Sequence, residues 1–230
     1  MTSQWPKAPY HMPQKTCILM FSGGRDSTLA AVRLARAWER LVLVTVTSGG
    51  LSGIARVTRR LLELRPLLPE NSSWMHVQFA KESHEDKDAK TCLTCHQGYI
   101  VAGAITADRF DANHIALGYS GYQSGWAEQT PYAITKLNEV LASNGLILVL
   151  PVTDLLHKED AIRELRSNDL SVEALEQKCV RQIIDPGLTG EGLYKEVDEW
   201  STELAKALSN KDAVKLETTT IHQLNALSLP

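Results

Sequence analysis

Two groups of residues in this sequence are of types that do chemistry. The first is the run Ser22, Gly23, Gly24, Arg25, Asp26 and Ser27. Paired glycines carry no Cβ, so the backbone can turn tightly and come close to a phosphate. The two serine hydroxyls can donate to phosphate oxygens, Arg25 can offset their charge, and Asp26 can hold a Mg²⁺ ion. The same letters also suit a plain strand-to-helix turn with Asp26 or Ser27 as its N-cap. The run is not a Walker A loop, because the closing Gly-Lys-Ser/Thr is missing. The second group is Cys92, Cys95 and Cys179. A C-x-x-C pair at a helix start has its thiol pKa lowered, which favours thiolate. With Cys179 the trio suits an iron–sulfur cluster with one open iron site, a zinc site completed by a fourth ligand, or redox chemistry through a Cys92–Cys95 disulfide. Cys17 falls inside an apolar run and reads as core.

Those residues need elements to position them. Residues 16–21 (TCILMF) form the short apolar run expected of a strand buried on both faces. The 22–27 loop follows it and opens a helix over 27–40, so the helix N-terminus faces whatever the loop holds. Further strands are predicted at 41–47, 74–79, 114–117 and 146–150. Helices are predicted at 52–64, 92–109, 131–142, 157–167, 172–178 and 193–208, with a polar tail after them. Alternating strands and helices imply an α/β fold: a doubly wound, parallel, five-stranded sheet with C-terminal helices. Ligands in such sheets bind at the carboxyl ends of the strands, near the switch point. One domain is expected over 1–230, with its core at 16–182 and a C-terminal helical extension at 183–230.

Composition bounds the function. The chain has 230 residues, 43% hydrophobic and 22% charged, with a formal net charge of -3. This is an ordinary soluble composition without a whole-chain basic field for nucleic acid. No apolar run reaches the roughly 20 residues needed to span a bilayer. The N-terminal residues, with three prolines in the first 14, lack the order of a signal peptide. A cytoplasmic protein with no membrane partner is expected, and its four cysteines then read as thiols or ligands rather than disulfides.

The whole Ser-Gly-Gly-x-Asp-Ser string, set after the first strand, resembles the signature loop of the PP-loop (N-type) ATP pyrophosphatases. The resemblance implies an adenine nucleotide alpha hydrolase fold, ATP and Mg²⁺ as cofactors, and cleavage of ATP between the α and β phosphates. It assigns ATP binding to Ser22, Gly23, Gly24, Arg25, Asp26 and Ser27. In this fold the end of the second strand contacts adenosine, which adds Thr45 and Thr47. The stretch TCLTCHQGYIVAGAITADRFDANHIALGYS resembles the central segment of the tRNA thiolation enzymes of the 2-thiocytidine and 2-thiouridine type, and 150–179 resembles their later segment. That implies Gly118 and Lys158 near the nucleotide and makes Cys92, Cys95 and Cys179 the catalytic or metal-binding trio, on a 4Fe-4S cluster or otherwise on Zn²⁺. The stretch GYSGYQSGWAEQTPYAI departs from the thiolases and looks more like the 7-cyano-7-deazaguanine synthases, whose C-terminal zinc cysteines are missing here.

Other residues carry weaker signals. Arg56, Arg59, Arg60 and Arg65 share a predicted helix and suit phosphate or RNA, or a solvated face. His84, Glu85, Asp86, Asp88 and Lys90 form a charged loop before the cysteine pair. His96 stands beside Cys95, either assisting a thiol or lying on a helix surface. Tyr119, Tyr122 and Trp126 can stack on a base or pack a loop.

The function expected first is ATP-dependent sulfur transfer. A nucleobase or nucleotide carbonyl oxygen is adenylated, and sulfur then displaces AMP. A deazaguanine-synthase-like amide or nitrile synthesis with ammonia and zinc is the alternative. A nucleotide-binding sensor or partner subunit without turnover is the third reading. The -3 charge favours a small nucleobase or nucleotide over tRNA. A cysteine desulfurase would suit as sulfur donor, and a homodimer is left open.

Overall fold

The computed structural model describes residues 16–47, 51–79, 91–179, 189–214 and 216–227. In chain order the elements are β1 (Cys17–Met20), α1 (Arg25–Leu34), β2 (Leu41–Thr47), β3 (Leu51–Ser52), α2 (Ile54–Leu64), β4 (Ser73–Phe79), α3 (Leu93–Arg109), β5 (His114–Ala116), α4 (Pro131–Ser143), β6 (Ile147–Val149), α5 (Lys158–Ser167), β7 (Lys178–Cys179), α6 (Gly190–Ser209) and β8 (Leu216–Gln223). The charged 84–90 loop lies outside the described residues.

The main sheet runs β6-β5-β1-β2-β4-β8. Its first five strands are parallel, as the βα alternation requires. The expected five-stranded sheet gains a sixth strand from the tail. β8 pairs antiparallel with β4, from Ser73 opposite Gln223 to Phe79 opposite Leu216. The polar tail hides this strand because an edge strand needs little apolar surface. His222 stacks on Trp74 with ring centroids 5.2 Å apart.

β1 is buried along its whole length and divides its side chains between two cores. Ile18 and Met20 face α3, α4 and α6, whereas Cys17, Leu19 and Phe21 face α1, α2 and α5. Period-two alternation with apolar residues on both faces produces this two-sided burial. Burial pushes the Cys17 thiol up to about 12, in keeping with a core residue.

Two predicted helices are corrected. The helix predicted over 27–40 runs Arg25–Leu34; the chain then turns so that Trp38 tucks into the core, 4.8 Å from the His114 ring. The segment predicted as a helix at 172–178 is an extended strap. Its carbonyls go to guanidinium groups and not to a helix ladder. Arg60 donates to Ser171 (2.9 Å) and Glu173 (2.5 Å), Arg25 to Val172 (2.7 Å), and Arg56 to Ala174 and to Glu176 (3.1 Å). A helix would need those same carbonyls for its own i to i−4 bonds. The strap ends in β7, where Cys179 pairs with Leu51 of β3.

Candidate functional site

β1 sits mid-sheet. From it the chain steps to β2 and β4 on one side, then crosses to β5 and β6 on the other. The switch point therefore lies between β1 and β5, where such sheets place their ligands. The loop after β1 and the loop after β5 meet there. A Cβ on Gly118 would come within 2.6 Å of the Ser27 nitrogen, so only glycine permits this contact.

A cavity of about 470 Å³ opens at this edge. Its walls include Ser22, Gly24, Arg25, Asp26 and Ser27 from the loop, Thr45 from β2, and Gly118, Tyr119 and Tyr122 from the loop after β5. His96, Tyr99 and Ile100 from α3, Lys158 from α5, and Glu176 and Gln177 from the strap complete it.

The loop is built for close backbone approach. Gly23 adopts φ +83, and a Cβ there would strike the Leu175 carbonyl oxygen at 2.8 Å. Ser22 Oγ and Ser27 Oγ lie 3.1 Å apart. The N-cap of α1 is Gly24, with no side-chain cap, so neither Asp26 nor Ser27 caps the helix. The orphan N–H groups of that first turn remain oriented toward the cavity end of the helix. Asp26 instead accepts a hydrogen bond from Tyr122 Oη at 2.5 Å. Burial raises the Asp26 pKa; the Tyr122 hydroxyl works against that rise, and the charge on Glu176 adds to it.

The other expected nucleotide residues divide. Gly118 and Lys158 line the cavity, and Lys158 stands exposed at the first turn of α5. Arg33 on α1 holds that region through Glu164, at 2.8 and 2.6 Å, and the Pro151 carbonyl, at 2.9 Å. Thr45 lines the cavity, but its hydroxyl donates to the Phe21 carbonyl at 2.7 Å and accepts from Trp74 Nε1 at 3.0 Å. Thr47 bonds Gln177 Oε1 at 2.6 Å and lies 2.8 Å from His76 Nε2; it fastens the strap and is not part of the cavity wall.

Of the four arginines expected on one helix face, Arg59 and Arg65 are exposed, with Arg59 3.2 Å from Glu173. Arg60 is fully buried, and Arg56 and Arg60 hold the strap. Arg65 donates to the Leu227 carbonyl at 3.0 Å.

None of the three thiols is among the residues lining the cavity; Cys92 and Cys95 stand at the start of α3, which reaches the cavity through His96, Tyr99 and Ile100. Cys92 is the N-cap of α3, and Cys95 stands in its first turn. Both are half-buried, whereas Cys179 is exposed. All three are near Tyr99, whose hydroxyl is raised first by burial and then by the negative charge of Cys95, Cys179 and Cys92. Among the described residues no three His, Cys, Asp or Glu side chains are gathered to hold one metal ion. The trio therefore shares a neighbour without forming a ready ligand set for a 4Fe-4S cluster or Zn²⁺.

His96 faces inward and is not a surface residue. Its Nδ1 lies 2.8 Å from Tyr119 Oη and its Nε2 lies 3.6 Å from Glu128 Oε1. Burial lowers its pKa, with Glu128 opposing. Tyr119 and Tyr122 are thus committed to His96 and Asp26 while lining the cavity, and Trp126 does not line it. Sequence reasoning missed Glu128, Tyr99, Glu176 and Gln177. The one available signal was the spacing of Arg56 and Arg60, one helical turn apart and in need of acceptors.

No helix among the described residues is long and apolar enough to cross a membrane. No protein-family model matches the chain, and no curated protein matches it in sequence. Solved structures do share its fold. A 4-thiouridine synthetase in complex with RNA and bound ATP is 14% identical, over 90% of this chain and 54% of that one, with a TM-score of 0.65. The U34-tRNA thiolase NcsA from Methanococcus maripaludis, solved with its 4Fe-4S cluster, is 12% identical, over 88% of this chain and 73% of that one, with a TM-score of 0.51. This chain thus spans about half of the 4-thiouridine synthetase chain. The α/β fold expected from the alternation of strands and helices is the fold found, and these two enzymes share it.

Proposed function

We propose that this chain uses ATP to activate a nucleobase carbonyl oxygen and then replaces that oxygen with sulfur. One observation carries the reading. A single cavity has a glycine-built, helix-capped loop on one wall and, on the other, the helix that begins with Cys92 and Cys95.

The 22–27 loop would hold the phosphates through backbone N–H groups and the Ser22 and Ser27 hydroxyls, with Arg25 and Lys158 as nearby cations. The 4-thiouridine synthetase that shares the fold was solved with bound ATP, which supports ATP as the nucleotide here. Mg²⁺ bound there would neutralise phosphate charge. The carbonyl oxygen attacks the α-phosphorus, the bond to the β-phosphate oxygen breaks, and pyrophosphate leaves.

Sulfur transfer is assigned to the cysteine pair. A persulfide on one of them, loaded by a donor such as a cysteine desulfurase, attacks the activated carbon and expels AMP. The second thiolate then attacks the cysteine sulfur, releasing the thiolated base and leaving a Cys92–Cys95 disulfide that an external thiol must reduce. Residues at positions i and i+3 of a helix start are near enough for that exchange. No step is routed through a metal cluster, since the three thiols do not form a ligand set.

The preference for a small substrate read from the -3 charge has no support in the fold relatives, whose names speak of RNA and tRNA. The acceptor proposed is a nucleobase carbonyl. A salt titration decides its carrier, because RNA binding through several phosphates falls by orders of magnitude with added salt.

The test of the reading is product analysis with ATP labelled at the α-phosphate. AMP and pyrophosphate are expected from the wild type, and neither from Asp26→Ala. ADP and phosphate as products would overturn α–β cleavage.

A further inference from the structure

Glu176 has no place in the chemistry just described, yet the strap holds it directly over the phosphate loop. A Cβ added to Gly24 would lie 3.4 Å from Glu176 Oε2. That oxygen is shut off from solvent and has no hydrogen-bond partner among the described residues. Glu176 lines the same cavity as Asp26. The arrangement is held in place: Arg56 donates to the Glu176 carbonyl at 3.1 Å, and Gln177 Nε2 donates to the Val46 carbonyl at 3.0 Å.

A carboxylate oxygen without water or a donor is an exception that calls for a missing partner. Its position makes the demand sharper. Two carboxylates, one from the first turn of α1 and one from the strap, flank a loop shaped for an anion. A bare triphosphate entering there meets like charge on both sides, in a site partly withdrawn from water. The donor set of two carboxylates beside phosphate oxygens is the all-oxygen set that Mg²⁺ takes, usually through one or two carboxylates plus phosphates and water.

We infer that Glu176 and Asp26 together hold the divalent cation that accompanies ATP, so that the strap makes nucleotide binding depend on the metal. The inference rests on the ATP reading above and adds a residue and a requirement to it. Its chemistry is coordination alone, with no covalent step. The unpartnered Oε2 is the ligand atom, and the fastening of the strap by Arg56, Arg60 and Arg25 keeps that ligand in place.

The test is calorimetric binding of ATP with Mg²⁺ and, separately, with EDTA, to the full chain and to Glu176→Gln. Gln keeps the shape and the strap contacts while removing the charge. Thermal unfolding of both proteins, and of Glu176→Ala, reports any loss of fold. The wild type should bind Mg·ATP at least about tenfold tighter than metal-free ATP, the size of one charge contact at a partly buried site. Glu176→Gln should bind metal-free ATP more tightly than the wild type does and lose most of the Mg²⁺ preference. Mn²⁺ titration followed by electron paramagnetic resonance, in the presence of ATP, should show weaker metal binding in the variant. An unchanged Mg²⁺ preference in Glu176→Gln overturns the inference and leaves the ATP reading standing. No ATP binding by the wild type, with or without metal, overturns the ATP reading itself.

Discussion

Arg25 Nε donates to the Val172 carbonyl at 2.7 Å, joining two residues 147 positions apart. The loop arginine is thereby a fastener as well as a cation beside the cavity. It shares this task with Arg56 and Arg60, which hold the neighbouring strap carbonyls. The 22–27 loop, α2 and the strap are thereby fastened together, and the strap's position sets the shape of the cavity.

Removing Arg60 should therefore loosen both fold and site. Arg60→Met leaves the part-buried Ser171 and Glu173 carbonyls without the donor that the buried Arg60 supplies. Each such group left unpaired costs about 1–3 kcal/mol. A lower urea midpoint and a weaker ATP dissociation constant are expected together. An urea midpoint and ATP affinity equal to the wild type would show the strap to be held by other contacts.

Gly118→Ala should damage nucleotide binding more than its size suggests. The added Cβ would lie 2.6 Å from the Ser27 nitrogen and 2.8 Å from its Cα, and neither backbone atom can yield cheaply. Overpacking of this kind costs about 1–3 kcal/mol, and here the displaced part is the backbone of Asp26 and Ser27. Gly125→Ala is the control, since nothing lies within 4 Å of a Cβ there. ATP binding equal in the two variants would argue against the β1–β5 switch point as the nucleotide site.

Asp26 carries a pH signature. Its folded-state pKa is raised above 3.8, chiefly by burial. The folded state therefore favours the protonated form. The associated stability is fully present below the unfolded value and is lost as pH rises through the raised folded value. At neutral pH the ionised carboxylate thus costs stability, and Asp26→Asn should melt higher than the wild type. That advantage should vanish in acid below the unfolded value. A melting-temperature series against pH checks this; a variant that melts lower at neutral pH would mean that the Tyr122 hydrogen bond outweighs the burial cost.

The cysteines should separate activation from sulfur transfer. Serine at Cys92 or Cys95 is expected to abolish thiolated product while AMP release persists, because the 22–27 loop and the cysteine pair belong to different elements, the start of α1 and the start of α3. Serine at Cys179 should leave the disulfide exchange between the other two intact and reduce turnover less. Anaerobic protein analysed for iron, sulfide and zinc provides the decisive contrast. Iron with acid-labile sulfide, lost in all three variants, would replace the persulfide route with a cluster.

The 22–27 loop, the five parallel strands and the core role of Cys17 were legible because each is a local pattern. Glycines before a helix, short runs apolar on both faces, and βα alternation state their consequences within about ten residues. The strap and β8 were not legible for the opposite reason. Residues 172–178 look helical on their own, and they are extended because guanidinium groups more than 100 positions away take their carbonyls. β8 has no strong pattern of its own; the open edge of β4 supplies the pairing partner that makes it a strand.

The site divides along the same line. The 22–27 loop and the C-x-x-C pair are spelled out in consecutive residues, and the sequence alone determined that they exist and which elements carry them. Only the tertiary structure decided that Gly118 must be glycine, that Tyr122 holds Asp26, that His96 turns inward to Tyr119 and Glu128, and that Glu176 overhangs the loop. Each of these depends on a contact between segments brought together by the crossover from one side of β1 to the other, or by a strap returning across the sheet edge. Such contacts are energies between distant residues, so no window of sequence contains both partners.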